Sequence, residues 1–512
     1  MVRFYNLIHR LGGQVIDINL KNRLILDNPW WSTGAVEAGV QRAARRAFVH
    51  QFLGQVRTGG GVAAVLSGPG RAGKTTLIKQ VIGLLMEAGV EPRLLVYLRL
   101  DNPAFANADL VDLVDQALHA SGAQAGAAGG TGIYIFLDDI HNVPDWDVRL
   151  DELARARSSC RIVAVTALAP LADPDVGADL NQKSAKKIKK NQGPGPFSHS
   201  ILPPVLFAEY LHIKRIGERL FDRHGRLVDL DGLNDAFVDY VNIGGFPEVA
   251  FVTGAKSGHG PAGGAARGAI NPADVTSKIL HGDLAGLCGI ADQREVAKLM
   301  TRLALESGLE TSIESLSKDM DVAKNTLRKY LEFLESSYLI KRIWRIDGNA
   351  KRFQRQTRFK VYLTSPALRA GLAGPVALED EAMARLAETA VISQFMHSPT
   401  FQRLYYAFWK KGRHHKHVGL VEMPLKGSRP VKCIELDWSN KALDQPQEML
   451  GDMLDFMDEN RPSTPSKALT RNMFGKRLIG EHEIGFMPVS VWCFAVGQVL
   501  LVGPGAQPGS SK

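Results

Sequence analysis

Residues 62 to 80 read VAAVLSGPGRAGKTTLIKQ, and the fold is decided there. Val62 to Leu66 is an apolar run with the pattern of a buried strand. It leads into Gly68-Pro69-Gly70-Arg71-Ala72-Gly73-Lys74-Thr75, which fits G-x-x-x-x-G-K-[ST]. Thr76 follows, then an apolar-periodic helix with Leu77, Ile78, Val81, Ile82 and Leu85 on its inner side. The glycines let backbone N–H groups curl around a phosphate without Cβ clashes, and the helix N-terminus adds a favourable dipole. The loop from Gly68 to Thr76 is therefore the candidate cradle for a nucleotide. Lys74 would reach the β- and γ-phosphates, and the Thr75 hydroxyl would ligate Mg²⁺.

Working outward, strands alternate with helices. Leu94 to Leu98 reads as a second strand and Ala108 to Ala120 as a helix, followed by a Gly/Ala loop from Ser121 to Gly132. Ile133 to Leu137 is a third strand, closed by Asp138-Asp139. A helix from Trp146 to Ala156 leads to a fourth strand, Arg161 to Thr166. Strands apolar throughout and separated by helices predict a parallel sheet covered on both faces. Ligands collect at the C-terminal edge of such a sheet. A carboxylate there, Asp138, is the candidate Mg²⁺ holder opposite Thr75. Asp139 is the candidate to orient or deprotonate the attacking water. Thr166, at the end of the fourth strand, is a candidate partner for the γ-phosphate or that water.

The chain has 512 residues, enough for about three domains. Lys and Arg number 62 against 53 acidic residues, a net charge of +9, which permits contact with DNA or another polyanion. Cys160, Cys288, Cys433 and Cys493 lie far apart without paired metal spacing, so a reducing, cytoplasmic setting is expected. No stretch reaches the ~18 apolar residues of a membrane span, and MVRFYNLIHRLGG has too short an apolar run for a secretory signal.

Residues 1–55 read as a lead-in, with Asp27 to Trp31 an extended or turn segment and Glu37 to Val56 one basic amphipathic helix. The P-loop core is expected over 56–202 and a helical lid over 203–275. Near the end of the core, residues 181–197 form a basic loop whose lysines 183, 186, 187, 189 and 190, with Arg71, are candidates for the extra positive charge that phosphoryl transfer needs. Gly254 to Asn271 reads as a flexible insertion. Over 276–375, a short helix at Ile313 to Met320, a turn at Asp321-Val322, a second helix at Ala323 to Tyr338 and strands at Leu339 to Ile346 and Arg358 to Leu363 predict a winged helix-turn-helix. Lys324, Asn325, Arg328 and Lys329 on its second helix, and Lys351, Arg352, Arg355 and Arg358 on the wing, could meet phosphates or base edges. Residues 376–500 read as α+β, with a helix at Ala382 to Met396 and strands at Leu404 to Trp409, Val418 to Met423, Lys432 to Leu436 and Val489 to Val496. His414, His415 and His417 read as a polar hairpin tip rather than a metal site. Residues 501–512 are expected to be a disordered tail.

Taken in order, NPWW, GPGRAGKTTLIKQ, IFLDDIHNVPDW, LPPVLFAEYL, GGFPE, NTLRKYLEFLESSYLI and KCIELDW resemble the bacterial and archaeal AAA-type ATPases that carry an AAA module, a winged helix and a nuclease-like C-terminal domain. The resemblance covers most of the chain. It implies ATP with Mg²⁺, an AAA-type sheet with an additional strand, and a lid whose Gly245-Phe246-Pro247 lies near the base or sugar. That family usually has Asp-Glu where this chain has Asp138-Asp139, so the expected ATPase is slow, a nucleotide switch. It commonly has Gly-Arg where Ser198-His199-Ser200 stands, which removes support for an arginine acting in trans from that position. The tail is similar to the PD-(D/E)xK nuclease fold. Glu388 and Glu435 could match its acidic residues, but Asp437 stands where the lysine should be, and the expected Asp is missing from Val418 to Val421. A binding or regulatory tail is the expectation, with a DNA-binding regulator that senses ATP and a metal-dependent nuclease as alternatives. A protein partner and a homo-oligomer stay open.

Overall fold

Among the described residues, five strands build a sheet in the first part of the computed structural model: β1 (Ala63–Ser67), β2 (Leu95–Arg99), β3 (Tyr134–Asp138), β4 (Arg161–Thr166) and β5 (Phe197–Ile201). Their order is β2-β3-β4-β1-β5, with β2, β3, β4 and β1 parallel to one another. β4 is thus inserted between β1 and β3. The side chains of β1 and β3 are buried along their whole length, as a sheet covered on both faces requires. The structure describes residues 18–58, 62–105, 108–123, 132–169, 197–251, 272–283 and 292–502. The lysines between 183 and 190, Cys288, most of the Gly/Ala loop, the glycine-rich insertion and the 503–512 tail lie outside the described residues. The chain divides into two compact units, one of 1–67 with 74–200 and one of 68–73 with 201–512.

β2 is an edge strand, and the NPWW segment covers it. The Asn28 amide accepts from Tyr97 N at 2.7 Å and donates to Tyr97 O at 2.8 Å. The indole N–H groups of Trp30 and Trp31 both donate to Leu95 O at 2.9 Å. The edge is thereby closed to another chain without an added strand. The expectation for this segment needs correction. The chain does turn at Asn28 and Pro29, but Trp30–Thr33 is a short helix, because Pro29 starts a helix as readily as it ends the one before it, Ile18–Asp27. The single helix expected from Glu37 to Val56 is also wrong. It is two, Ala38–Arg42 and Phe48–Thr58, because Ala43 leaves the helical region (φ −64°, ψ 134°) and its carbonyl accepts from Gln80 Nε2 at 3.1 Å. A tertiary bond overrides a pattern that suits helix on either side.

In the second unit, a nine-stranded sheet is built from β6 (Glu310–Thr311), β7 (Ile340–Ile346), β8 (Phe359–Leu363), β9 (Leu404–Lys411), β10 (His414–Glu422), β11 (Lys432–Asp437), β12 (Ser466–Thr470), β13 (Gly475–Ile479) and β14 (His482–Pro488). Its order is β13-β14-β12-β11-β10-β9-β7-β8-β6. Helices Ile313–Met320 and Lys324–Ser336 stand before β7, joined through Asp321 in the left-handed region at φ 55°. Ser312 caps the first, accepting from Ser315 N at 3.1 Å. Leu316, Leu327, Leu331 and Leu334 are buried, while Lys324, Asn325, Arg328 and Lys329 are exposed. The β7–β8 hairpin joins the tail strands, since β7 pairs with β9 in parallel through Trp344 to Ile346.

One expected strand is a helix. Val489 to Val496 lies within the helix Val489–Val502. The run VSVWCFAV is β-branched and apolar and reads as a strand from sequence. Its residues, however, meet partners on several sides: Ser490 Oγ donates to Asn234, Trp492 stacks edge-on to Phe395, and Phe494 stacks on Phe221. A helix packed on most of its faces loses the periodicity that would have identified it. Among the described residues, no helix is long and apolar enough to cross a membrane.

Candidate nucleotide and metal site

The site is assembled at the ends of β1 and β3. β1 ends at Ser67, the glycine-rich loop follows, and the next helix is Lys74–Glu87. Lys74 is buried. Thr75 is exposed, yet its Oγ1 donates to Asp138 Oδ2 at 2.8 Å. The same oxygen accepts the Tyr97 hydroxyl at 2.8 Å, and Asp139 N donates to Oδ1 at 3.1 Å. Asp138 is fully buried. Burial raises its pKa, against the hydrogen bonds from Thr75 and Tyr97 and the charge of Lys74. Burial and the Asp138 charge push the Tyr97 phenol far above its ordinary range, so it stays a donor. Lys74, Thr75 and Asp138, chosen from sequence, thus meet around one carboxylate.

Asp139 lies just past the strand, in the left-handed region at φ 56°. Burial, then the Asp138 charge, pushes its carboxyl up to about 7, where a general base is effective. The Thr166 hydroxyl is engaged locally: Oγ1 accepts from Leu168 N and donates to Leu168 O, both at 3.0 Å. It would have to leave that turn to reach a phosphate. On β5, within Ser198-His199-Ser200, His199 Nε2 lies 2.6 Å from Ser67 Oγ.

In its own unit, the loop Gly68–Gly73 packs on the segment that begins at Ile201. A Cβ on Gly68 would meet Leu202 O at 2.3 Å, and its φ of 149° suits only glycine. A Cβ on Gly73 would lie 3.4 Å from Pro247 Cγ. Arg71, at φ 61°, donates from Nη1 to Glu248 Oε1 at 2.9 Å, and Lys278 Nζ stands 3.7 Å from Glu248 Oε2. Pro247 is therefore beside the loop, whereas Gly245 is enclosed by Ser365 and Ala367. Sequence reasoning missed Tyr97, His141 and Glu248. Glu248 and His141 carried a signal, their places in GGFPE and IFLDDIHNVPDW.

A second carboxylate cluster lies in the tail. Glu388, on the helix Ala382–Ser393, is 3.7 Å from Lys360 Nζ of β8. Glu435 Oε2 accepts from Gly419 N at 2.9 Å, and its Oε1 is 3.9 Å from His417 Nε2. A Cβ on Gly419 would meet Glu435 at 3.0 Å and Glu388 at 3.5 Å. Asp437 is spent on its own turn, accepting from Ser439 N at 2.9 Å and Ala442 N at 2.6 Å. His414, His415 and His417 follow the hairpin turn at Gly412, with His415 stacked on Phe408. Among the described residues, no group of three or more His, Cys, Asp or Glu side chains is placed to hold a metal ion.

Residues 62–211 match the AAA domain family, and residues 234–378 match a domain of unknown function (DUF8612). The class is thereby defined: the chain carries an AAA-type P-loop domain. It is similar to an uncharacterized protein of Haemophilus influenzae, 22% identical over 314 residues, which cover 60% of this chain and 68% of that one. Among solved structures it is similar to C. elegans PCH-2, 15% identical over 42% of this chain and 52% of that one, with a TM-score of 0.19. The chain thus spans about half the length of PCH-2. It is also similar to Cdc6p from Pyrobaculum aerophilum, 14% identical over 69% of this chain and 98% of that one, with a TM-score of 0.25.

Proposed function

We propose that the protein binds ATP with Mg²⁺, hydrolyses it slowly, and uses the nucleotide state as a switch. The observation that carries this reading is the Thr75 hydroxyl 2.8 Å from Asp138, directly after the glycine-rich loop and Lys74. A hydroxyl and a buried carboxylate are hard oxygen donors, and Mg²⁺ takes one or two such protein ligands beside phosphates and water. The residues therefore fit the ion, which would neutralise charge on the β- and γ-phosphates. Thr75 and Asp138 would hold it, Lys74 would add a fixed positive charge, and Asp139 would take the proton of the attacking water. Asp139 is one methylene shorter than glutamate, which is why the expected turnover is slow.

The switch would act through the lid and the helix-turn-helix with its hairpin, read here as a winged helix. A bound ligand shifts such an equilibrium only by its differential affinity for the two arrangements. The exposed Lys324, Arg328 and Lys329 favour a polyanionic partner such as DNA on that face. A nuclease reading of the tail has less support, because Gly419 and Asp437 replace a ligand and the lysine. Calorimetric titration of ATP–Mg²⁺ into wild type and Lys74→Ala tests the core of the reading. Binding lost in the variant is expected, and equal binding would sink it. Asp139→Glu should raise the hydrolysis rate if reach is what limits it.

A further inference from the structure

The turn after Asp138 carries a polar side chain with no role so far. Asp139 bends the chain into the short helix Ile140–Asn142. That turn is pinned by Asn142 N to Asp139 O at 3.1 Å, Asn142 Nδ2 to the same oxygen at 2.9 Å, and Val143 N to Ile140 O at 2.9 Å. It brings His141 to the end of β4, where its Nδ1 accepts from Ala167 N at 3.2 Å. A ring nitrogen that accepts from an amide carries no proton, so in the neutral ring the proton is on Nε2. Burial, then the charge of Lys74, lowers the pKa to about 4, against the pull of Asp101, so the ring is neutral near pH 7. Nε2–H has no hydrogen-bond partner among the described residues. The lysine that reaches the γ-phosphate is thus the one whose charge bears on this imidazole, while the Thr166 hydroxyl is already committed to Leu168.

We propose that His141 reads the γ-phosphate, its Nε2–H donating to a γ-phosphate oxygen while Ala167 N–H fixes the ring through Nδ1. His141 then acts as a neutral donor, neither base nor cation; the ring is already tied to the end of β4 through Ala167, and its Nε2–H gains a partner only when a third phosphate is bound. This rests on the nucleotide reading above and adds a discriminator between ATP and ADP to it.

The test is titration of the full chain with ATP–Mg²⁺ and with ADP–Mg²⁺, for wild type, His141→Leu and His141→Gln. His141→Leu should lose about tenfold in ATP affinity and keep its ADP affinity, which also reports that it is folded. His141→Gln should stay near wild type for both, because its amide oxygen can accept from Ala167 N–H while its amide nitrogen donates. Unchanged ATP affinity in His141→Leu overturns the inference, and so does an equal loss of ATP and ADP in both variants. Wild type that binds neither nucleotide would overturn the nucleotide reading itself.

Discussion

Two pockets in this chain bury carboxylates close to a lysine, and they are finished differently. At the end of β3, Asp138 is held by hydroxyls: Thr75 and Tyr97 both donate to one oxygen. In the tail, Glu388 and Glu435 face an ammonium and an imidazole, Lys360 at 3.7 Å and His417 at 3.9 Å. Hydroxyls satisfy a buried carboxylate without cancelling its charge, so the demand for a cation persists. An ammonium cancels much of it from within. Glycine at position 419 widens the contrast, since it brings no side chain to the point where both glutamates converge. Composition alone does not separate the two pockets. What separates them is the group set against the carboxylate: donating hydroxyls at Asp138, an ammonium and an imidazole at the tail glutamates.

The largest effect that could break this contrast is Asp138→Asn. The amide keeps an acceptor for Thr75 or Tyr97 and removes the charge. Hydrolysis should fall on the order of a thousandfold, several kcal/mol of lost metal assistance. Mg²⁺ should cease to strengthen ATP binding in a titration at fixed nucleotide. If Mg²⁺ still strengthens it, the metal is held elsewhere and the difference between the pockets is misread.

Next in size is Lys360→Met, which removes the internal cation from the tail with little change in volume. Lys360 is only 10% exposed and Glu388 16%, so a buried charge would be left without its partner. Destabilisation of about 3 kcal/mol is expected in urea denaturation. The double variant Lys360→Met with Glu388→Gln should recover much of that, because the stranded charge is gone. Failure of the second change to restore stability would mean that Lys360 acts through its stem, not its charge.

Sequence located most of the first pocket, and of the second the carboxylates but not the lysine, for physical reasons. The phosphate loop is a local device, with glycines, lysine and threonine within one turn, so Lys74 and Thr75 are legible together. Asp138 is legible because an apolar strand has to stop somewhere, and an acid there stands out. Tyr97 is different: on a strand buried nearly throughout, a tyrosine looks like any core aromatic, and its hydroxyl partner lies 41 residues away. His141 sits in a turn whose path depends on Asp139 adopting a left-handed conformation. Lys360 comes from a hairpin assigned to another module, and it meets Glu388 because the helix Ala382–Ser393 packs on β8. The helix Val489–Val502 was hidden by its own burial, whereas β12, β13 and β14 carried too little alternation to be found.

The smallest expected effect sharpens the contrast most, because it concerns the hydroxyls themselves. Tyr97 is fixed before it reaches Asp138. Asn28 binds its backbone on both sides, Trp30 packs edge-on to its ring with centroids 6.2 Å apart, and Lys79 Nζ lies 5.2 Å from the ring centroid. The phenol therefore holds Oδ2 while Thr75 can turn toward a metal. Tyr97→Phe removes this one donor and leaves the ring's packing in place. A buried hydrogen bond to a charged carboxylate is worth about 2 kcal/mol, so the Mg²⁺ concentration needed for half-maximal ATP binding should rise by about tenfold or more. ATP affinity at saturating Mg²⁺ should change little, because only the aim of the carboxylate has been loosened. Asn28→Ala should move the Mg²⁺ requirement the same way through the strand rather than the phenol. If Tyr97→Phe leaves that requirement where it was, Thr75 alone orients Asp138 and the tyrosine is simply a core residue.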